Sequence, residues 1–443
     1  MAFDPLSIAN TEFSKRYRGE SGARQPVHTV YGGAQLFRAD SVPKLGSIAA
    51  RALAEFAPDA DALAGAVGLD VDAALRAELY RRVADKLSRE PVEDFRIDFE
   101  DGYGNRPDTE EDGHAKSVAN AVAAGAKAGT LSPFIGIRIK PLNEELRERS
   151  KRTLELFMDA MLDANSGVLP PNFVITLPKV TIPEQVTYFV ELLRALEHRS
   201  SLDEGALRFE LMVETPQSII SANGAATLPL LFDAAHGRMA AAHFGTYDYT
   251  AGISITASYQ AMRHPACDFA KHMMQVALAG TGVWLSDGST TMLPVAPHRA
   301  SAGNMLTALQ VANNRASVHR AWKLHYDDVR WSLMNGFYQG WDLHPAQLVT
   351  RYLAVFAFFL ESVDAAGARL KNFVEKAAQA TLVGDVFDDA ATGQGLLNFF
   401  LRGINCGAIT EDETLTRTGL TLDELRSRSF VTILRSRGAP TSA

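Results

Sequence analysis

Glu214 ends an apolar stretch, RFELMVETPQSII, and Asp248 follows another, MAAAHFGTYDY. Two carboxylates brought together with few waters repel unless a cation lies between them, and hard oxygen donors favour magnesium or manganese. Either residue would otherwise pair with a lysine at the rim of the fold or cap a helix, as Asp commonly does. Arg138 lies inside the apolar IGIRIKPL, where a guanidinium needs an anion or several acceptors. A bidentate carboxylate suits it, either a ligand's or that of Glu100 or Asp101. In RIDFEDGYG the two-residue period of a strand puts Asp98 and Glu100 on one face, while Asp101 points elsewhere or opens the loop. Two acids on one face invite a cation or a metal-bound water; the other reading is a solvated acidic loop. Lys179 in LPKV is either a Schiff-base lysine or a counter-charge for nearby acids. His28, His243 and His344 are acid/base candidates, or histidines satisfied within the core or at the rim.

These groups need elements that bring them together. Short apolar, β-branched runs alternate with longer amphipathic ones, the pattern of a parallel sheet buried on both faces. The runs are VHTVYGG (27–33), DFRIDFED (94–101), FIGIRIK (134–140), FVITLPK (173–179), RFELMVE (208–214), MAAAHFG (239–245), GVWLSDG (282–288) and QGWDLHP (339–345). Eight strands close a (β/α)8 TIM barrel, whose C-terminal strand ends meet at one mouth. An open doubly wound sheet competes, but strand count and length favour the barrel. Ionisable groups end several runs: Asp98, Glu100, Asp101, Arg138, Lys140, Lys179, Glu214 and Asp287. The expected organisation is an α/β barrel domain over 1–362, with helical insertions at about 59–90 and within 302–335, and a helical C-terminal extension over 363–443.

Bulk properties exclude other classes. The chain has 443 residues, 47% hydrophobic and 22% charged, as expected of a folded globular protein. Net charge is −8, with Lys and Arg scattered, so nucleic acid is not an expected partner. No run approaches the roughly 18–20 apolar residues of a membrane span, and no signal-type segment opens the chain, so the expected location is cytoplasmic. Cys267 and Cys406 show no disulfide or zinc spacing and read as plain thiols.

In order along the chain, these segments resemble the family of citrate lyase β-subunits, malyl-CoA lyases and metal-dependent 2-oxo acid aldolases. VHTVYGGAQLF is similar to a first-strand segment of the form LFVPG, IDFEDGYG to DLEDAV, GIRIKP to VRIN, and LPKV to PKV. VETPQSI is similar to IETA, HFGTYDY to FGxxDL, LSDG to AIDG, and GWDLHPAQL to GKxxIHPxQ. The resemblance spans roughly 27–350; it departs in YGGA on the first strand, a longer interval between Glu214 and Asp248, the insertion and the C-terminal extension. It implies a (β/α)8 barrel with Mg2+ (or Mn2+) held by Glu214 and Asp248. It also implies that Arg138 contacts the substrate carboxylate or oxyanion and that Glu100 and Asp101 support metal-bound waters. Gly245 and Thr246, at the turn after the sixth strand, are assigned to the substrate on the same ground.

The implied reaction is carbon–carbon cleavage or condensation, of aldol or Claisen type, through a metal-stabilised enolate of a 2-oxo acid, hydroxy acid or acyl-CoA. A CoA thioester substrate is possible on the resemblance, although no basic cluster declares a nucleotide site. Alternatives are a malate-synthase-like condensation, phosphoryl chemistry on an enolpyruvate, or a non-catalytic barrel binding metal and organic acid. The expected partners are a small-molecule substrate and a second copy of the chain, since in several relatives a C-terminal segment closes a neighbour's site.

Overall fold

A computed structural model describes residues 4–19, 22–300, 305–376, 381–383, 386–388 and 390–437. Its eight long-range strands are β1 (His28–Gly33), β2 (Asp94–Asp98), β3 (Phe134–Arg138), β4 (Phe173–Leu177), β5 (Arg208–Val213), β6 (Met239–Phe244), β7 (Trp284–Ser289) and β8 (Gln339–Asp342). They pair in parallel in sequence order and close β8 onto β1, with His28 beside Gly340 and Val30 beside Asp342. The chain is therefore a (β/α)8 TIM barrel. Every expected strand forms, although β2 stops at Asp98 rather than Asp101. It stops because the Glu100 N–H turns back to the Asp98 carboxylate, at 2.9 Å, instead of continuing the ladder.

Before β2 come α1 (Pro5–Arg16), α2 (Ser41–Phe56), α3 (Ala60–Val67) and α4 (Ala73–Arg89). The sequence 59–90 thus folds as two helices, begun by Asp59 and Asp72, whose carboxylates accept N–H bonds at 2.8 Å from Ala62 and Leu75. Around the barrel follow α5 (Asp108–Ala128), α6 (Arg147–Ala164), α7 (Pro183–Arg199), α8 (Pro216–Ile219), α9 (Leu228–Ala234), α10 (Thr246–Gly252) and α11 (Pro265–Leu278). Then come α12 (Ala308–Met334), which occupies the run before β8, and α13 (Gln347–Leu360). The apolar faces of these helices pack on the outside of the strands; α13 is buried along nearly its whole length. Among the described residues no helix is long and apolar enough to cross a membrane.

Beyond the barrel lie α14 (Val363–Glu375), α15 (Ala390–Asn405), α16 (Glu411–Thr418), α17 (Leu422–Ser427) and α18 (Phe430–Ser436). One antiparallel pair, β9 (Thr381–Val383) with β10 (Val386–Asp388), interrupts the helical run. Leu397, Phe400 and Leu401 of α15 are buried. Arg402 donates to Gln25 Oε1 at 2.7 Å, and Glu413 meets Arg82 at 2.5 Å. Gln25 precedes β1, so the extension covers the N-terminal end of its own barrel, opposite the mouth.

TIM-barrel interiors are usually filled by branched apolar side chains; this one is largely ionic. Arg96 reaches across from β2 to β5, donating through Nε and Nη2 to Glu210 at 2.8 Å each, and also pairs with Asp94. Thr176 and His243 meet the same Glu210, Thr29 donates to Asp94 at 2.9 Å, and Gln339 donates to Thr29 at 3.0 Å. Above this layer the Tyr31 ring lies 4.5 Å from Trp341 and 4.9 Å from the Arg138 guanidinium, with its hydroxyl 3.8 Å from Met212 Sδ. Polar interior and aromatic layer together form the floor under the mouth.

Replacing Arg96 with Leu leaves Asp94 and Glu210 buried without their cation, a change that costs about 3–5 kcal/mol. The expected outcome is a clear fall in the urea midpoint of unfolding; an unchanged midpoint would contradict the ionic-interior account.

Candidate active site

The anchor of the mouth is Asp98, at the last position of β2 and in register with Arg138 at the end of β3. Arg138 donates to both Asp98 oxygens, Nε to Oδ1 at 2.7 Å and Nη2 to Oδ2 at 2.5 Å. The same carboxylate accepts the Glu100 N–H and, at 2.6 Å, the Gly102 N–H. One acid thereby fixes both a cation and the turn that carries the next two acids. Arg138 Nη1 lies 3.1 Å from Glu100 and 3.9 Å from Asp101. The internal pair expected of Arg138 with Glu100 is therefore present, but its main partner is Asp98, which shares a strand face with Glu100.

Glu214 follows the last residue of β5 and is 2% exposed. Its Oε1 accepts the Lys179 backbone N–H at 2.7 Å, and its Oε2 lies against Gly245, where any β-carbon would overlap it. The sharp exit after Glu214 comes from Thr215, whose hydroxyl donates to Val180 O at 2.7 Å and accepts the Ser218 N–H at 3.2 Å, and from Pro216 opening α8. Burial, and then the charge of Asp248, push the Glu214 carboxyl up to about 8, against the pull of Lys179 and Arg138. Asp248, in the first turn of α10, stays 41% exposed at the side chain. Burial also raises Glu100, in spite of Arg138 and Lys179 beside it.

Lys179 is the residue whose role the sequence left open. Its backbone sits at φ 51°, a left-handed conformation that costs a non-glycine residue roughly 1–2 kcal/mol. The strain aims the ammonium into the mouth, where it meets Glu100, Asp101 at 3.1 Å and Asp248 at 3.4 Å. Burial opposes that charge, but the neighbouring carboxylates, Glu100 first, outweigh it and hold the ammonium protonated. A lysine so held is a counter-charge, and is poorly suited to Schiff-base chemistry.

Arg138, Glu100, Asp101, Lys179, Glu214, Gly245, Thr246 and Asp248 therefore gather at the C-terminal ends of β2 to β6. Thr246 is buried beside Gly288, and its hydroxyl has no hydrogen-bond partner among the described residues. Other strand-end groups turn away. Asp287 faces outward to Lys271 at 3.0 Å and Ser332 at 2.7 Å, and Lys140 to Phe99 O at 2.6 Å and Glu111 at 3.2 Å. His28 lies at the start of β1, accepting the Glu93 N–H at 3.0 Å and 3.1 Å from Asp342, so it is no acid/base group of the mouth. His243 sits inside the barrel against Glu210, while His344 accepts the Ala346 N–H at 3.1 Å. Both cysteines are buried thiols pushed up to about 12 by burial.

No group of three or more His, Cys, Asp or Glu side chains forms a metal cage among the described residues. Two carboxylates do converge, Glu214 with only Oε1 in a hydrogen bond among the described residues and Asp248 41% exposed at its side chain. That donor set fits magnesium, which is commonly held by one or two carboxylates and completes its shell with waters and substrate oxygens.

A family model described as a domain of unknown function, DUF6986, matches residues 6–433, and the chain belongs to that family. No curated protein sequence matches it. Among solved structures, a citrate lyase from Burkholderia xenovorans LB400 is similar over 89% of this chain and 96% of its own, with a TM-score of 0.57 and 18% identity. A malate synthase of Haloferax volcanii, in a magnesium/glyoxylate complex, covers 94% of this chain and 98% of its own, with a TM-score of 0.45 and 14% identity. The first of these shares the barrel fold.

Without metal, folded Glu214 keeps its proton up to about pH 8, whereas an unfolded Glu loses it near 4.5. The folded state binds the extra proton between those values, so this stabilisation is complete below the lower value and is lost as pH rises through about 8. Glu214→Gln imitates the protonated form. Thermal melts of the metal-free variant should match wild type near pH 4, fall less as pH rises toward 8, and show no added stability with magnesium.

Proposed function

We propose that the chain, a member of this family with a barrel like that of a citrate lyase, is a magnesium-dependent carbon–carbon lyase or condensing enzyme. Its substrate class is a 2-oxo or hydroxy acid, free or as a CoA thioester. The observation that carries the reading is the convergence of Glu214 and Asp248 at the mouth, beside the fixed charge of Arg138. Shared fold alone does not assign an activity, so the argument rests on these side chains.

Glu214 and Asp248 hold the cation, with Gly245 leaving room for the Glu214 oxygen. When bound, the divalent ion supplies Lewis acidity to the oxygens of a 2-oxo or hydroxy carboxylate. Arg138, locked by Asp98, presents Nη1 toward the mouth and orients an anionic oxygen without reorganising, the condition under which such a charge stabilises a transition state best. Thr246 offers an unsatisfied hydroxyl to the same ligand. Glu100, buried and with its carboxyl raised by that burial, is the group placed to accept and return a proton, with Asp101 holding water at the open side. The partners in this reading are a small organic acid and a second copy of the chain, in a cytoplasmic setting.

One observation favours a second reading. The Lys179 ammonium already neutralises the acids of the mouth, an arrangement that also suits a barrel that binds an organic acid without turning it over.

Purified protein assayed against 2-oxo acids, aldehydes and CoA esters, with and without magnesium, separates the two. The lyase reading expects magnesium-dependent turnover that Glu214→Ala abolishes and Arg138→Met lowers by about 10²–10³-fold in kcat. Flat progress curves together with tight oxalate binding would favour the silent barrel.

A further inference from the structure

We infer that the Lys179 ammonium and a divalent ion compete for Asp248, so that metal loading displaces the lysine from that carboxylate and Lys179 sets how tightly the site takes metal. The inference rests on the assignment of Glu214 and Asp248 as ligands and goes beyond it to a residue whose role that assignment leaves open.

The geometry carries it. Lys179 Nζ contacts carboxylates from two strand ends, Glu100 and Asp101 after β2 and Asp248 after β6, while its own N–H holds Glu214 Oε1. The ammonium therefore lies among the oxygens a cation would use. Its longest contact, 3.4 Å, is the one to Asp248, whose side chain is 41% exposed, against 59% for Asp101. Glu100, by contrast, is buried and is also held by Arg138 at 3.1 Å. A divalent ion drawing on Asp248 gains its second carboxylate only as the ammonium withdraws toward Glu100 and Asp101. Because the lysine backbone is pinned through its N–H, the displacement is confined to the side chain. The left-handed backbone of Lys179 is the local distortion that puts a cation here; strain of this kind persists where the surrounding structure over-determines it.

Two measurements on the full-length protein test this. In the first, Mn2+ binding is followed by electron paramagnetic resonance in wild type, Lys179→Gln and Glu214→Ala. Removing the competing charge should tighten Mn2+ binding by at least about tenfold, since one unit charge about 4 Å away at an effective dielectric of about 20 is worth more than that. In the second, wild type is treated with an amine acetylating reagent, and modification of Lys179 is read by peptide mass spectrometry. Saturating Mn2+ should raise the Lys179 modification rate severalfold, with no rise in Glu214→Ala.

Tighter binding by the glutamine variant with an unchanged Lys179 rate would overturn displacement, leaving only an effect of charge at a distance. Equal Mn2+ affinity in wild type and Lys179→Gln would overturn the competition while the metal site stood. An absence of Mn2+ binding in both would remove the metal assignment and this inference with it.

Discussion

Arg138 and Asp98 face one another at the ends of neighbouring strands, and the mouth of the barrel is arranged around that pair. A guanidinium 4% exposed at the top of an apolar strand is tolerable only with its charge and donors satisfied. Asp98 meets that need with both oxygens and uses its remaining acceptor capacity on the N–H groups of Glu100 and Gly102. The acidic turn after β2 is thereby fixed in the same step that fixes the cation. Preorganisation of this kind places charges before a ligand arrives, so that none of the binding energy goes to arranging them.

Beneath the pair, the barrel is held by a second buried arginine. Arg96, with Asp94 and Glu210, links β2 to β5 across the interior, and Tyr31, Trp341 and Met212 separate this layer from the mouth. Two stacked charge layers thus replace the usual apolar filling. Each is costly to break, because loss of one partner leaves the others charged and out of water. The outer helices supply the apolar burial that offsets this interior, and the C-terminal helices close the far end rather than the mouth.

Much of the fold was legible in the sequence. Eight largely apolar runs with helical spacers became eight strands in the expected order, because the strand faces that meet the outer helices must be apolar whatever lies inside the barrel. Glu214 was legible as a residue of the barrel mouth for a related reason: a charge at the end of such a run needs a partner. The parity of Asp98 with Glu100 was visible too, but not that Asp98 would take Arg138, since that depends on the register between β2 and β3. Asp287 and His28 had the same sequence signature as the mouth residues and proved to be buried on other faces.

Residue types and spacing determined the barrel, the eight strands and the acids and arginine at their ends, since period and burial are local properties of the chain. Tertiary structure alone decided which of those groups look into the mouth and which turn outward. A one-residue difference in where a strand stops reverses the face a side chain takes, and the turn that stops it is set by contacts from other strands. The position of Lys179 is the sharpest instance. Nothing in LPKV announces a left-handed lysine; only the meeting of Glu214, Glu100, Asp101 and Asp248 around one small space makes a strained backbone with a partly buried ammonium the lower-energy choice.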